Sequence, residues 1–184
     1  MESVKYHMWR TFPSEHLKIF LEATELAWND SHKWDNKDLQ QNIEKRLSAS
    51  YPHGSLLHSN VPLYQLGVSK SKCEIDIVVR GDLENSQTGL FMIQLSGHQA
   101  PRHEKEILEF MAVSLVNSSP CFGVFVVCTD NHLNLEGKAN SFNYCGRRLL
   151  SLAEGCLEAA RLRGLLIIGL PTPERMSEDQ ANED

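Results

Sequence analysis

The sequence predicts an α/β domain, a mixed central sheet of about five strands with helices on both faces. Three observations lead there. The segments "CFGVFVVCT" (121–129) and "LLIIGL" (165–170) are almost wholly apolar, the pattern of strands buried on both faces. A long helical stretch separates them, the kind of crossover that parallel neighbours need. Upstream, "CEIDIVV" (73–79) and "LFMIQLSGH" (90–98) are joined by the polar connection "RGDLENSQTG" (80–89), which suits an antiparallel hairpin.

The elements follow in order. After a short arm, "PSEHLKIFLEATELAW" (13–28) reads as a helix, with Ser14 as N-cap and Leu17, Phe20, Leu21, Thr24 and Trp28 at helical spacing. The polar stretch "NDSHKWDN" separates it from a second helix, "KDLQQNIEKRL" (37–47), striped by Leu39, Ile43 and Leu47. "SYPHGS" breaks that helix with Pro and Gly. Three strands are expected at 55–66, 73–80 and 89–96, the first an edge strand because it contains Pro62. A helix follows Pro101 and turns Ile107, Leu108, Met111, Ala112 and Leu115 to the core. The strand 121–129, a helix over roughly 141–162 ended by Gly164, and the strand 165–170 complete the sheet.

With 184 residues and 41% hydrophobic content, the chain is expected to form one domain over 1–170, with N-terminal helices at 13–48 and the core at 55–170. Residues 171–184 read as a disordered acidic tail; positions 174–184 hold five acids and one arginine, so most of the net charge of −6 resides there. The remaining body is close to neutral and has no basic run that would announce a nucleic-acid partner. No apolar stretch approaches the roughly 20 residues that cross a bilayer, and the first residues lack a secretory signal pattern. The five cysteines are odd in number and have no C-x-x-C spacing, which points to free thiols in cytosol or nucleus and against zinc.

Two polar residues stand out in otherwise apolar strands, Asp76 in "EIDIVV" and Gln94 among Phe91, Met92, Ile93 and Leu95. With the downstream order helix, buried strand, helix, strand, this resembles the restriction-endonuclease-like superfamily, called PD-(D/E)XK after its motif, over roughly residues 37–170. In that family the aspartate of one strand and an acid of the next hold one or two magnesium ions, and a lysine orients or activates the attacking water. Carried over, Asp76 matches the aspartate, Met92 falls on the second acid and Gln94 on the lysine. Shifting the motif by two, with Gln94 for the acid and Ser96 for the lysine, fits the strand alternation equally well. A thioether at 92 cannot replace a carboxylate for magnesium, a hard ion that takes oxygen ligands.

Other residues could complete such a site. Some family members carry their second acid on the following helix, which here offers Glu104, Glu106 and Glu109; a surviving magnesium site would then use Asp76, Glu104 and Glu109. Glu74 shares the face of Asp76, and Glu44 lies where some relatives place an auxiliary acid. Ser96, Arg102 and Lys105, near the start of that helix, are candidates for phosphate contacts, and His98 and His103 for proton transfer. The resemblance supports three readings. The first is a degenerate, non-catalytic binding or assembly subunit in nucleic-acid processing, with a protein partner and DNA or RNA. The second is an active magnesium-dependent endonuclease with a relocated acid, and the third is a protein-interaction module.

Overall fold

The computed structural model describes residues 4–31, 35–51, 57–68, 73–96, 103–129 and 161–171. Six strands form one sheet: β1 (Lys5–Trp9), β2 (Leu57–Pro62), β3 (Glu74–Asp82), β4 (Thr88–Ser96), β5 (Cys121–Thr129) and β6 (Leu162–Pro171), in the spatial order β1-β6-β5-β4-β3-β2. The central pairs β4/β5 and β5/β6 are parallel, while β2/β3, β3/β4 and β1/β6 are antiparallel. Helices α1 (Ser14–Ser31) and α2 (Asn36–Ser50) cover one face, and α3 (His103–Val116) covers the other.

The sheet therefore separates two hydrophobic cores. On the α1–α2 side, Phe20, Leu39, Ile43 and Leu47 pack against Phe91, Val124 and Ile168. On the α3 side, Ile107, Phe110 and Val113 meet Met92, Phe125 and Leu165. β5 is apolar throughout because it contributes to both, and its residues from Cys121 to Val127 are all buried. Asp35 caps α2, its carboxylate accepting from the backbone N–H of Lys37 and Asp38, two donors that a helix start leaves without partners.

α1 is fastened to the sheet by a buried imidazole. His16 Nε2 lies 2.7 Å from the carbonyl oxygen of Asp82 and Nδ1 lies 2.8 Å from the Tyr51 hydroxyl. A carbonyl only accepts, so Nε2 carries the proton, and Nδ1 accepts from the phenol. Burial, reinforced by Glu15, pushes the Tyr51 phenol upward and keeps it a donor. Gly81 lies beneath the ring: a Cβ there would stand 2.5 Å from His16 Cε1.

Several expectations are corrected. The N-terminal arm contains a strand, β1, because β6 offers it an open edge; this brings the strands among the described residues to six. The hairpin strands run further than the polar residues between them suggested, to Asp82 and from Thr88, since backbone pairing continues where side chains turn to solvent. The strand expected over 55–66 ends at Pro62 and passes into a 3-10 turn, Leu63–Leu66. On α3 the inward stripe is Ile107, Phe110 and Val113, with Leu108 and Leu115 about half exposed; the helix is rotated to bury its phenylalanine. β6 starts at Leu162, where the preceding helix was expected to end, and includes Pro171, assigned above to the tail.

The remainder of that expected helix, 141–160, and the tail from 172 lie outside the described residues. Cys73 and Cys121 are free thiols. Among the described residues, no helix is long and apolar enough to cross a membrane.

Candidate functional site

The polar pair singled out in the sequence lies where two strands part. β3 and β4 pair from Asp82↔Thr88 to Ile77↔Ile93, and the ladder stops there. In the same register Asp76 stands opposite Gln94, and side chains take over the missing backbone bonds. Gln94 Oε1 accepts from the N–H of Asp76 at 3.0 Å, and Gln94 Nε2 donates to the carbonyl of Glu74 at 3.0 Å. Asp76 Oδ2 accepts from the N–H of Leu95 at 2.7 Å. Buried backbone groups need partners, and these two side chains provide them across the fork.

β3 turns over at this point. Ile77 and Val79 face the α1–α2 core and Val78 the α3 core, yet Ile75 packs on the α3 side with Val78, contrary to strict alternation. On the neighbouring edge strand, Asn60 adopts a left-handed φ of 50° and interrupts the otherwise continuous pairing of β2 with β3. Gln40 of α2 reaches across to donate to the carbonyl of Asp76 at 2.9 Å, and its nitrogen also lies near Asn60 Oδ1 and Glu44 Oε1. The strand sequence alone gave no sign of Gln40; its place between the buried Leu39 and Ile43 was the only hint.

The fork opens into a cavity of about 220 Å³ lined by Cys73, Glu74, Asp76, Gln94, Leu95, Glu106 and Glu109. Four of these are carboxylates and no lysine or arginine is among them. Glu109 is nearly buried, and its Oε2 accepts from Gln94 Nε2 at 2.9 Å. Both amide hydrogens of Gln94 are therefore spent, one on Glu74 and one on Glu109. Asp76 feels the crowding: burial first, then the charges of Glu109, Glu74 and Glu44, push its carboxyl up to about 6 against the opposing bond from Leu95.

The expected site residues divide into three groups. Asp76, Gln94 and Glu109 come together at the fork, with Glu106 beside them. Met92 is fully buried in the α3 core opposite Val78, away from the cavity lining. Ser96 is fully buried as well. Glu104 and Lys105 belong to the first turns of α3, but their side chains, like Arg102 and His98, lie outside the described residues.

Magnesium requires near-octahedral oxygen coordination, usually with one or two carboxylates. Among the described residues, no three His, Cys, Asp or Glu side chains are grouped so as to hold a metal ion. The Gln94 oxygen faces a backbone N–H instead, and one Asp76 oxygen is held by Leu95. Among the described residues, the donors as arranged do not make up the magnesium site that the resemblance implied; the Glu104 side chain lies outside the described residues.

No protein-family model and no curated protein matches the chain. Among solved structures it is similar to the restriction endonuclease BglII, determined in complex with a DNA 16-mer, with a TM-score of 0.52 and 12% identity over 91% of this chain and 77% of that one. At such identity the likeness concerns architecture alone. It supports the fold class described above, a mixed sheet with helices on both faces: the chain has a restriction-endonuclease-like fold.

Proposed function

We propose that this chain is a nuclease-fold protein that works by binding, as a non-catalytic recognition or assembly subunit in nucleic-acid processing. The observation that carries this reading is the state of the two motif positions downstream of Asp76. Met92 is core, with no exposed surface, and the Gln94 carboxamide is fully engaged by Asp76, Glu74 and Glu109. A hydrolytic site needs a group free to orient water and a charge to stabilise the phosphoryl transition state. Here the first is committed to holding strands together, and in place of the second the cavity is lined by the carboxylates Glu74, Asp76, Glu106 and Glu109. The likeness to a DNA-bound restriction endonuclease supports nucleic acid as ligand class, with a protein partner supplying whatever basic surface the near-neutral body lacks.

The test is incubation of the purified chain with plasmid DNA and single-stranded RNA in magnesium and in manganese, beside Asp76→Ala. The expected result is no cleavage above that of the variant, together with retained binding of a labelled DNA duplex or RNA in the presence of its partner. Metal-dependent cleavage that disappears in Asp76→Ala would overturn the reading.

A second reading, an endonuclease with a relocated acid, draws on one observation: Glu109 reaches the fork from α3 and is the largest charge influence on Asp76. It requires that cleavage be present and be lost in Glu109→Gln as well as in Asp76→Ala.

A further inference from the structure

At the opposite end of the sheet from Asp76 lies a larger concavity, about 860 Å³. It forms where β1 leaves the sheet, where the β3–β4 hairpin turns, and where β5 and β6 begin. Three arginines line it, Arg10, Arg161 and Arg163, against a single acidic residue, Glu84. In a chain of net charge −6 this local excess of cations runs against the whole. Among the described residues, the ion pair present is Arg46–Asp30, and none of the three arginines takes part in one.

Two irregularities of the backbone and one close approach shape this corner. Arg10 adopts a φ of 58°, the left-handed region that side chains other than glycine rarely occupy, and its guanidinium lies 4.4 Å over the Trp9 ring. The register of β6 on β5 jumps from Cys121↔Leu162 to Phe122↔Gly164, so Arg163 is the extra residue of a bulge. Bulges re-aim side chains and gather near binding sites. Gly164 then lets the chain after β1 pass close overhead, since a Cβ there would stand 2.9 Å from the carbonyl oxygen of Thr11. Strain and mispairing of this kind persist where something else benefits from them.

We propose that this corner of the sheet binds a phosphate-bearing ligand of nucleotide size, at a site separate from the acidic fork. The planar guanidinium fork pairs with two phosphate oxygens at once. Ser14, which opens the 18-residue helix α1, lines the same cavity, so the positive end of that helix adds to the attraction. Ser118, Ser119 and Asn117 supply neutral hydrogen-bonding groups, and the largely buried Phe12 and Phe122 form an apolar floor. The volume falls within the roughly 300–1,000 Å³ of small-ligand sites. The shared chemistry is a terminal phosphate, whether of a free nucleotide or of the end of a nucleic-acid strand. This inference does not depend on the function proposed for the fork.

The experiment is calorimetric titration of the full chain with ATP, with pyrophosphate, and with a trinucleotide carrying either a terminal phosphate or a free hydroxyl end. Saturable micromolar binding of ATP or of the phosphorylated trinucleotide is expected, weakening as salt rises. ATP binding identifies a free nucleotide as the source, and preference for the phosphorylated trinucleotide identifies a strand end. Arg163→Glu and Arg10→Ala should each weaken binding by roughly tenfold or more, the usual scale for loss of a charge-assisted bond. Lys45→Glu, an exposed charge reversal on α2, should leave it within about twofold, because Lys45 is not among the residues lining the cavity. Absence of binding by all four probes at millimolar concentration, or an equal effect of Lys45→Glu and the arginine variants, would overturn the assignment. Thermal melts confirm that each variant is folded, and if Arg163→Glu fails that check the exposed Arg161→Ala replaces it.

Discussion

Replacing Asp76 by asparagine should make the protein more stable at neutral pH, and the size of the effect follows from its surroundings. Folding moves the carboxyl from 3.8 to about 6, chiefly through burial. The native chain therefore binds more protons than the unfolded chain between those values. The stability associated with a neutral Asp76 is complete below pH 3.8 and is lost as pH rises through about 6. Two pKa units at about 1.4 kcal/mol each give a penalty of about 3 kcal/mol above pH 7.

Asparagine keeps an oxygen for the N–H of Leu95 and removes the charge. Asp76→Asn should thus gain about 2–3 kcal/mol at pH 8, or roughly 4–12 °C in Tm for a chain of this length, and lose most of the advantage at pH 4. Urea and thermal unfolding of both proteins at the two pH values, with chelator present, measure it. The difference between variant and wild type cancels the titration of groups that do not interact with Asp76. A variant no more stable than wild type at pH 8, or an advantage independent of pH, would refute the account of Asp76 as a charge held against burial and three neighbouring acids.

Other perturbations probe the same framework. Gln94→Ala leaves the N–H of Asp76 and the carbonyl of Glu74 without their partner, and should cost about 2–4 kcal/mol in urea unfolding, the penalty for two unsatisfied buried groups. Met92→Glu, which restores an acid at the motif position, should destabilise by at least about 3 kcal/mol and confer no cleavage, because the side chain is fully buried among apolar neighbours; a folded, cleaving variant would show that the position opens to the cavity. Gly81→Ala should cost about 1–3 kcal/mol by driving His16 off its two hydrogen bonds, visible as a lowered denaturation midpoint. The Cys121 thiol, raised to about 11 mainly by burial, should resist a thiol-directed reagent until the chain unfolds, whereas the half-buried Cys73 should react in the native state.

Much of the architecture was legible because it is written in local patterns. The apolar run of β5, the stripe of Leu39, Ile43 and Leu47, and the hairpin of β3 and β4 each announce themselves within a dozen residues. β1 did not, because Lys5–Trp9 is a strand only by virtue of β6, far along the chain. The face of α3 was read in part: Ile107 and Met111 turn inward as expected, but Phe110 and Val113 do so in place of Leu108 and Leu115, which are equally apolar. Asp76 and Gln94 were conspicuous as polar residues in apolar strands, and that was sufficient to find the fork. That they replace backbone bonds, and that Gln40 joins them from α2, depends on strands parting and twisting, which no spacing reveals. The arginine corner was equally hidden, since Arg10 and Arg163 are joined only by the meeting of β1 with a bulge in β6.

The pairing of β1 with β6 has a consequence for synthesis. On a translating ribosome, Trp9 emerges roughly 150 residues before its partner Leu165, an interval of roughly 8–30 s at ordinary elongation rates. Throughout that time β1 has no partner strand, and its pairing awaits β6, the last of the described strands. Premature release before Leu162 would yield a chain able to form its helices and hairpin but unable to close its sheet.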